Sequence, residues 1–453
     1  MMASHVKNMT EGRPVPLIFS FAIPLMIGNV FQQLYTVVDT MVVGKALGVN
    51  ALAALGAADW MNWMMLGIIQ GFTQGFGILL AQEFGAKRYD NLRRSVGNSA
   101  ALSLLSAIVL LGIGQLLARP VLELLNTPAR ILPDALLYLR IMYLGIPVVM
   151  AYNLLASVLR SLGDGQTPLH AMVVAAVTNI LLDLLFVLVL GFGIAGAAAA
   201  TLIAQLISSL FCLHHIRKID ILSLQAADFR PCGRLPFRLL MLGFPMAFQN
   251  AIISVGGMIV QFVVNGFGVL FIAGFTATNK LYGVLEVAAT SYGYAMVTYT
   301  GQNLGARRTD RIRKGVKSAV LIALLTSLFI AFLMLVFGKG ILGWFISGTP
   351  EEFEQTLQIA YYYLAVMSIC LPILYILHIT RSAIQGMGNT ILPLVSGIAE
   401  FVMRAATAVF LPMLIGEHGI FYAEIMAWTG AVVILIISYF IVIRKMEQLF
   451  GHT

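Results

Sequence analysis

TNILLDLLFVLVLGFGIAGAAAAT, residues 178–201, is apolar almost throughout, yet it carries Asn179 and Asp183. The two stand four residues apart, so a helix sets them on one face. An ionised carboxylate in hydrocarbon costs several kcal/mol, so something must offset that cost or use it.

Composition identifies the surroundings as a membrane. Of 453 residues, 59% are hydrophobic and 11% charged, where a soluble domain averages about 25% charged residues. The first apolar run extends from about Val15 to Gly44. That exceeds a signal peptide's apolar core and predicts a retained span. Cys212, Cys232 and Cys370 show no metal-ligand spacing, and the first and last read as core residues.

A crossing helix needs about 20 apolar residues. Twelve candidates follow: 15–44, 52–82, 95–118, 134–158, 168–191, 194–216, 237–265, 271–302, 316–337, 356–383, 391–415 and 419–443. The expected fold is therefore an all-α, multi-pass integral membrane protein. Lysine and arginine orient it. Lys87, Arg88, Arg93 and Arg94 follow span 2, Arg217 to Arg238 lie between spans 6 and 7, and Arg307 to Lys317 follow span 8. The other loops are nearly bare, so both termini and the basic loops are expected on the cytoplasmic side of the cell (plasma or inner) membrane. The formal charge of +8 then reflects topology and contact with anionic membrane lipids, not nucleic acid.

The chain repeats itself. QEFGAKRYDNLRR from Gln82 resembles QNLGARRTDRIRK from Gln302. YLRIMYLGIP from Tyr138 resembles YLAVMSICLP from Tyr363, and RSLGDGQTP from Arg160 matches QGMGNTILP from Gln385. Pro24 and Pro245 open spans 1 and 7 in matching places. This predicts an N-lobe over 1–216, a cytoplasmic linker over 217–236 and a C-lobe over 237–453. Six spans per half return the chain to its starting side, so the repeats are parallel. Two such lobes around a central cavity are one transporter plan.

Asp39 in span 1, Asp183 in span 5 and Thr201 in span 6 all fall roughly 8–12 Å below the outer boundary at 1.5 Å per residue. Asn179 lies one turn deeper. A structural hydrogen-bond cluster is one reading of this layer; an ion or proton pathway is the default for acids inside a membrane. Paired carboxylates in a low dielectric share protons, and carboxylate, amide and hydroxyl oxygens also suit Na⁺. The second half does not repeat the layer: Asn179 aligns with Arg404 and Asp183 with Ala408. Glu400 and Arg404, four apart, suit an internal ion pair. Glu286 has no partner at i±3 or i±4 and suits a cationic substrate or a proton. Lys280 and Arg140 lie nearer the outer ends, where long side chains snorkel. Asp59, at a depth like that of Asp39, reads as facing outer water.

PLMIGNVFQQLYTVVDTMVVGKALG (24–48), LRSLGDGQTP (159–168), the 178–201 segment and the two QxxGA[KR]R blocks at 82–88 and 302–308 resemble the multidrug and toxic compound extrusion (MATE) family. The resemblance covers essentially the whole chain. It implies an antiporter driven by H⁺ or Na⁺, without a further cofactor, that exports amphipathic and often cationic organic compounds. It implies ion coupling at Asp39, Asn179, Asp183 and Thr201, with bending of the first helix at Pro24. It places Gln32 and Tyr35 toward substrate. Met61, Met64 and Met65, with Tyr35, Trp60 and Trp63, are candidates for an adaptable apolar surface; for Trp60 and Trp63, lipid-facing or interfacial packing fits at least as well. Spans 7 and 10 lack the interior acids found in one branch of the family.

Other classes fit less well. A lipid-linked oligosaccharide flippase of the wider superfamily is the alternative, but it expects a cationic cavity. SLGDG (161–165) superficially resembles an aspartyl-protease motif, yet it falls in a turn and its repeat copy has Asn389. No HExxH or GxxxxGK[ST] occurs, so no zinc protease or direct ATP drive is expected, and the chain is not expected to be an enzyme. A channel is less consistent with the duplicated plan than alternating access. A monomer suffices, because one chain holds both lobes. In a cysteine-free background, Lys87→Cys and Lys314→Cys should react with an impermeant maleimide only from the cytoplasmic side, and Glu351→Cys only from outside. The reverse pattern would overturn the topology.

Overall fold

Backbone that crosses hydrocarbon must satisfy its own N–H and C=O groups, and a helix does so locally. The computed structural model describes residues 5–125, 127–346 and 349–450, and among them there are helices and turns but no strand. The helices are α1 (Pro14–Leu47), α2 (Val49–Gly85), α3 (Tyr89–Leu124), α4 (Leu132–Leu144), α5 (Ile146–Ser161), α6 (Gln166–Asp183), α7 (Gly193–Ile216), α8 (Leu235–Val264), α9 (Val269–Gly305), α10 (Thr309–Gly343), α11 (Pro350–Gly386), α12 (Ile391–Ile415) and α13 (Ala423–Phe450). α6 runs on into a π-helical turn, Leu184–Val189.

These correspond one to one with the twelve expected spans once α4 and α5 are taken together; that pair bends by 49° at Gly145. Among the described residues ten helices are long and apolar enough to cross a membrane, and eleven with the bent pair. The twelfth, α9, is 37 residues long but contains Asn279, Lys280, Glu286 and four tyrosines. It packs against α10 and α11, with Asn279 and Glu286 half-buried and Lys280 exposed.

Two compact units form, and each is built from separate lengths of chain. The first contains residues 1–9 and 23–248, and the second contains 10–22 and 249–453. The boundary therefore lies inside α8 rather than in the linker, and the first part of α1 belongs to the second unit. In the first unit α2 packs on α3, α4 and α5, and α6 packs on α7. A Cβ at Gly71 or Gly75 of α2 would overlap the α8 backbone at Ala247 or Gly243, so only glycine permits this approach. The linker is fixed to α3: Asn98 Nδ2 donates to the carbonyls of Asp228 at 3.1 Å and Arg230 at 3.2 Å.

The duplication extends to the backbone. Lys87 and Arg307 hold equivalent places in the QxxGA[KR]R blocks, with φ of 57° and 58°, and they are the only non-glycine residues at positive φ among those described. Asp164 and Asn389 are equivalent caps. Asp164 Oδ1 accepts from the N–H groups of Gln166 at 3.0 Å and Thr167 at 2.9 Å, and Asn389 Oδ1 accepts from Leu392 N–H at 3.1 Å. The Gly-Asp pair in SLGDG is thus a helix start and not a catalytic dyad. The copies differ at Gly145, where α4 and α5 bend; its counterpart Cys370 lies inside the continuous α11.

The second unit is tied by buried charge. Arg381 Nη2 lies 2.6 Å from Glu400 Oε2, Arg404 Nη2 lies 3.0 Å from Glu400 Oε1, and the same nitrogen lies 2.7 Å from Glu424 Oε2. Arg404 Nη1 also donates to the Ile253 carbonyl at 3.3 Å. One chain of charge thereby joins α8, α11, α12 and α13. Glu400→Gln leaves Arg381 without the carboxylate it faces. It should cost about 3–5 kcal/mol, as expected when one side of a buried pair is removed, read as a lower melting temperature in detergent. Asp164→Ala should cost about 0.5–2 kcal/mol through loss of the cap, and Asp164→Asn less. An unchanged melting temperature in either alanine or glutamine variant would contradict these roles.

Candidate functional site

In the first unit, α1 carries Gln32, Tyr35 and Asp39 at i, i+3 and i+7, which places them along one helix face. Asp39 and Tyr35 are buried and Gln32 is half-buried. Thr36 and Thr40 return their hydroxyls to their own helix, donating to the carbonyls of Gln32 at 3.0 Å and Thr36 at 2.8 Å. The Tyr35 hydroxyl lies near the side chains of Gln32 and of Gln205 on α7. α1 is helical through Pro24, next to the point where the chain passes from one unit to the other. Proline lacks an N–H, so one backbone hydrogen bond is missing there.

α6 supplies Asn179 and Asp183, both fully buried. Asn179 Nδ2 donates to Thr201 Oγ1 at 3.3 Å, and that hydroxyl donates to the Ala197 carbonyl at 3.2 Å. α6 and α7 are therefore joined at the polar layer. Asp183 is the last α-helical residue before the π-turn, and π-turns recur at functional sites. Asp39 and Asp183 lie within electrostatic reach of each other. Tyr138 of α4 lies within reach of both and of Asp59. Asp59 is exposed on α2.

The layer holds acceptors without donors. Asp39 Oδ1, Asn179 Oδ1, both Asp183 carboxylate oxygens and Gln205 Oε1 are buried and lack a hydrogen-bond partner. Orphaned acceptors of this kind are costly. A proton on a carboxylate, or a hard cation among the oxygens, would satisfy them. The donor set is oxygen alone, which suits Na⁺ better than a soft metal. Among the described residues no three His, Cys, Asp or Glu side chains form a metal-binding group.

The remaining predicted residues lie elsewhere. Met61 is enclosed in the apolar core of the first unit beside Ala58 and Met65, so its place is in packing. Met64 is half-buried, and Trp60 and Trp63 are exposed. Glu286 is in the second unit, on α9, and its Oε1 lies 3.4 Å from His378 Nε2 of α11. Glu400 and Arg404 are the buried centre of the charge chain described above.

Gln205, Tyr138, His378, Arg381 and Glu424 did not emerge from sequence reasoning. Two signals were present. Thr201 and Gln205 are one turn apart in an apolar helix, and HITR (378–381) puts an imidazole and a guanidinium three residues apart in another. Nothing local marks Tyr138 or Glu424.

A sequence profile of the MatE family matches residues 24–185 and 245–410, one segment in each half. The chain is 28% identical over 421 residues to the "Probable multidrug resistance protein YpnP" of Bacillus subtilis (strain 168), covering 91% of this chain and 92% of that one. Two solved structures share the fold at 21% identity. One is a MATE in complex with MaL6, with a TM-score of 0.91 over 99% of this chain and 100% of that one. The other is an outward-facing multidrug resistance MATE transporter of the MOP superfamily, with a TM-score of 0.90 and the same coverage. With its profile matched in both halves and its twelve helical segments arranged as two copies of one pattern, the chain belongs to the MatE family of multidrug and toxic compound extrusion transporters.

Proposed function

We propose that the protein is a cation-coupled antiporter that exports amphipathic, often cationic organic compounds across the cell membrane by alternating access. The observation that carries this reading is the set of buried carboxylate oxygens of Asp39 and Asp183 with no hydrogen-bond partner. Such oxygens gain a partner when H⁺ or Na⁺ arrives and lose it when the ion leaves. Asp39, Asn179, Asp183 and Thr201 hold the ion. Gln32 and Tyr35, on the same face of α1 as Asp39, report its charge state to substrate, and Met64 adds an apolar contact; Glu286, within the second unit, offers a carboxylate to a cationic substrate on its own. Ion binding neutralises the two acids, and α1 yields where Pro24 has already removed a backbone hydrogen bond. A gradient drives export because the ion binds the two transport states unequally. The multidrug-resistance name borne by the Bacillus subtilis relative supports the substrate class. The protein acts as a monomer with both termini in the cytoplasm.

The test uses purified protein in liposomes, loaded with a fluorescent organic cation and given a pH gradient or a Na⁺ gradient. One gradient should drive dye movement. Asp39→Asn and Asp183→Asn should each reduce it at least about tenfold, the loss of about 1.4 kcal/mol of coupling, while the melting temperature holds. Full gradient-driven transport in both variants would overturn the assignment of the ion site. Dye movement under neither gradient, with a lipid-linked oligosaccharide moved instead, would overturn the antiport reading.

A further inference from the structure

Where the linker meets α3 and α8, in the first unit, arginines gather that no carboxylate matches. Asn98 of α3 holds the linker by the carbonyls of Asp228 and Arg230, and a Cβ at Gly97 would overlap the Asp228 carbonyl, so the linker lies directly on the helix. Arg94, one turn before Asn98, extends to Cys232, with Nη1 4.0 Å from Sγ. Arg230 and Arg234 stand two residues to either side of that cysteine. Arg238 follows one helical turn after Arg234, its N–H donating to the Arg234 carbonyl at 3.0 Å. All four arginines are exposed, and among the described residues none of them pairs with a carboxylate. The nearby acids are engaged elsewhere. Glu83 faces Arg88, Asp90 faces Arg93, and the buried Asp228 accepts from the Gln225 N–H at 2.8 Å. Asp220, the other acid of the linker, stands ten residues before Arg230.

Membrane topology alone does not call for this cluster. The two repeats start on the same side, and the register that pairs Pro24 with Pro245 sets residues 9–17 against 230–238. Arg13 then matches Arg234, but Met9, Glu11 and Leu17 stand where the second copy has Arg230, Cys232 and Arg238. The four guanidinium groups repel one another and are kept together by a backbone that is itself pinned to α3. An anion relieves that repulsion, and a guanidinium grips phosphate oxygens through paired, charge-assisted hydrogen bonds. The cluster also runs on into apolar surface. Arg234, Phe237, Arg238 and Met241 stand at i, i+3, i+4 and i+7, on one face of the start of α8. Phe237 is 65% and Met241 48% exposed. Met241 lies about 10 Å along the axis from Arg234, and a headgroup layer is roughly 5–8 Å thick. The face therefore leads from the level of phosphates into hydrocarbon.

We propose that Arg94, Arg230, Arg234 and Arg238 form a binding site for the phosphate headgroup of an anionic membrane phospholipid, whose acyl chain lies along Phe237 and Met241. Basic clusters next to a crossing helix attract anionic lipids; here the charges are fixed in place by the α3–linker contact and adjoin a surface that suits the tail. The bound lipid holds the linker and the start of α8 at the headgroup layer. The proposal requires that the chain sits in a membrane and does not depend on the antiport reading.

The test titrates the full-length protein in detergent with dioleoyl phosphatidylglycerol or dioleoyl phosphatidylcholine and counts retained lipid by native mass spectrometry. Wild type should hold the anionic lipid at least about tenfold more tightly than the zwitterionic one. Arg230→Gln combined with Arg234→Gln should weaken the anionic lipid by about thirtyfold, at about 1 kcal/mol for each arginine, and leave the zwitterionic lipid unchanged. Lys314→Gln combined with Lys317→Gln removes the same charge from exposed positions on α10 and should change nothing. Phe237→Ser should weaken the anionic lipid severalfold, and inorganic phosphate in excess should not displace it. All these side chains are exposed, and an unchanged melting temperature in each variant confirms that the fold is kept. Equal retention of the two lipids overturns the proposal, as does an equal loss in the arginine and lysine variants. Displacement by inorganic phosphate, with no effect of Phe237→Ser, would make the cluster a plain anion site and overturn the lipid assignment.

Discussion

A hydrocarbon interior offers no water to a buried charge, so each carboxylate there must be matched by a base, a proton or a cation. The two units meet this constraint in different ways. In the second, Glu400 and Glu424 are matched by Arg381 and Arg404, and the network joins four helices. In the first, Asp39 Oδ1 and both Asp183 carboxylate oxygens are left without hydrogen-bond partners. The difference traces to aligned positions. Arg404 stands where the first repeat has Asn179, and Ala408 where it has Asp183. A fixed cation makes one copy a brace, and without it the other copy keeps its acids unmatched.

Much of this was legible in the sequence. Low charge and long apolar runs reveal spans because they record solvation by lipid, which acts on every exposed residue. The repeat was legible because its motifs sit at turns, where backbone geometry restricts the residues allowed; Lys87 and Arg307 adopt the same left-handed conformation. The Asn179–Thr201 contact was foreshadowed by depth alone, since two adjacent helices entering from one side keep a common scale of rise per residue.

What was not legible depends on packing between distant segments. Glu286 looked isolated because helix spacing reveals only partners on its own helix, and His378 comes from α11, 92 positions along the chain. Glu424 meets Arg404 in the same way, from α13. Met61 and Met64 looked alike in DWMNWMM, yet one is enclosed and the other half-exposed. Composition cannot separate a methionine that fills a core from one that lines a surface. α9 shows the converse. Its polarity keeps it below the hydropathy of a span, yet it packs along α10 and α11 as the other long helices pack on their neighbours.

The division of α1 and α8 between the units bears on how the protein can be taken apart. The polar stretch around 217–236 is the natural seam in composition, yet neither unit is a continuous length of chain. A cut at that seam would deprive the first unit of residues up to 248, including Gly243 and Ala247, which lie against Gly75 and Gly71, and the second of residues 10–22. Each unit holds part of α1 and part of α8. A lobe transplanted into a chimera, or a circularly permuted gene, must carry its borrowed half-helix along, or leave a groove lined by glycine with nothing to fill it.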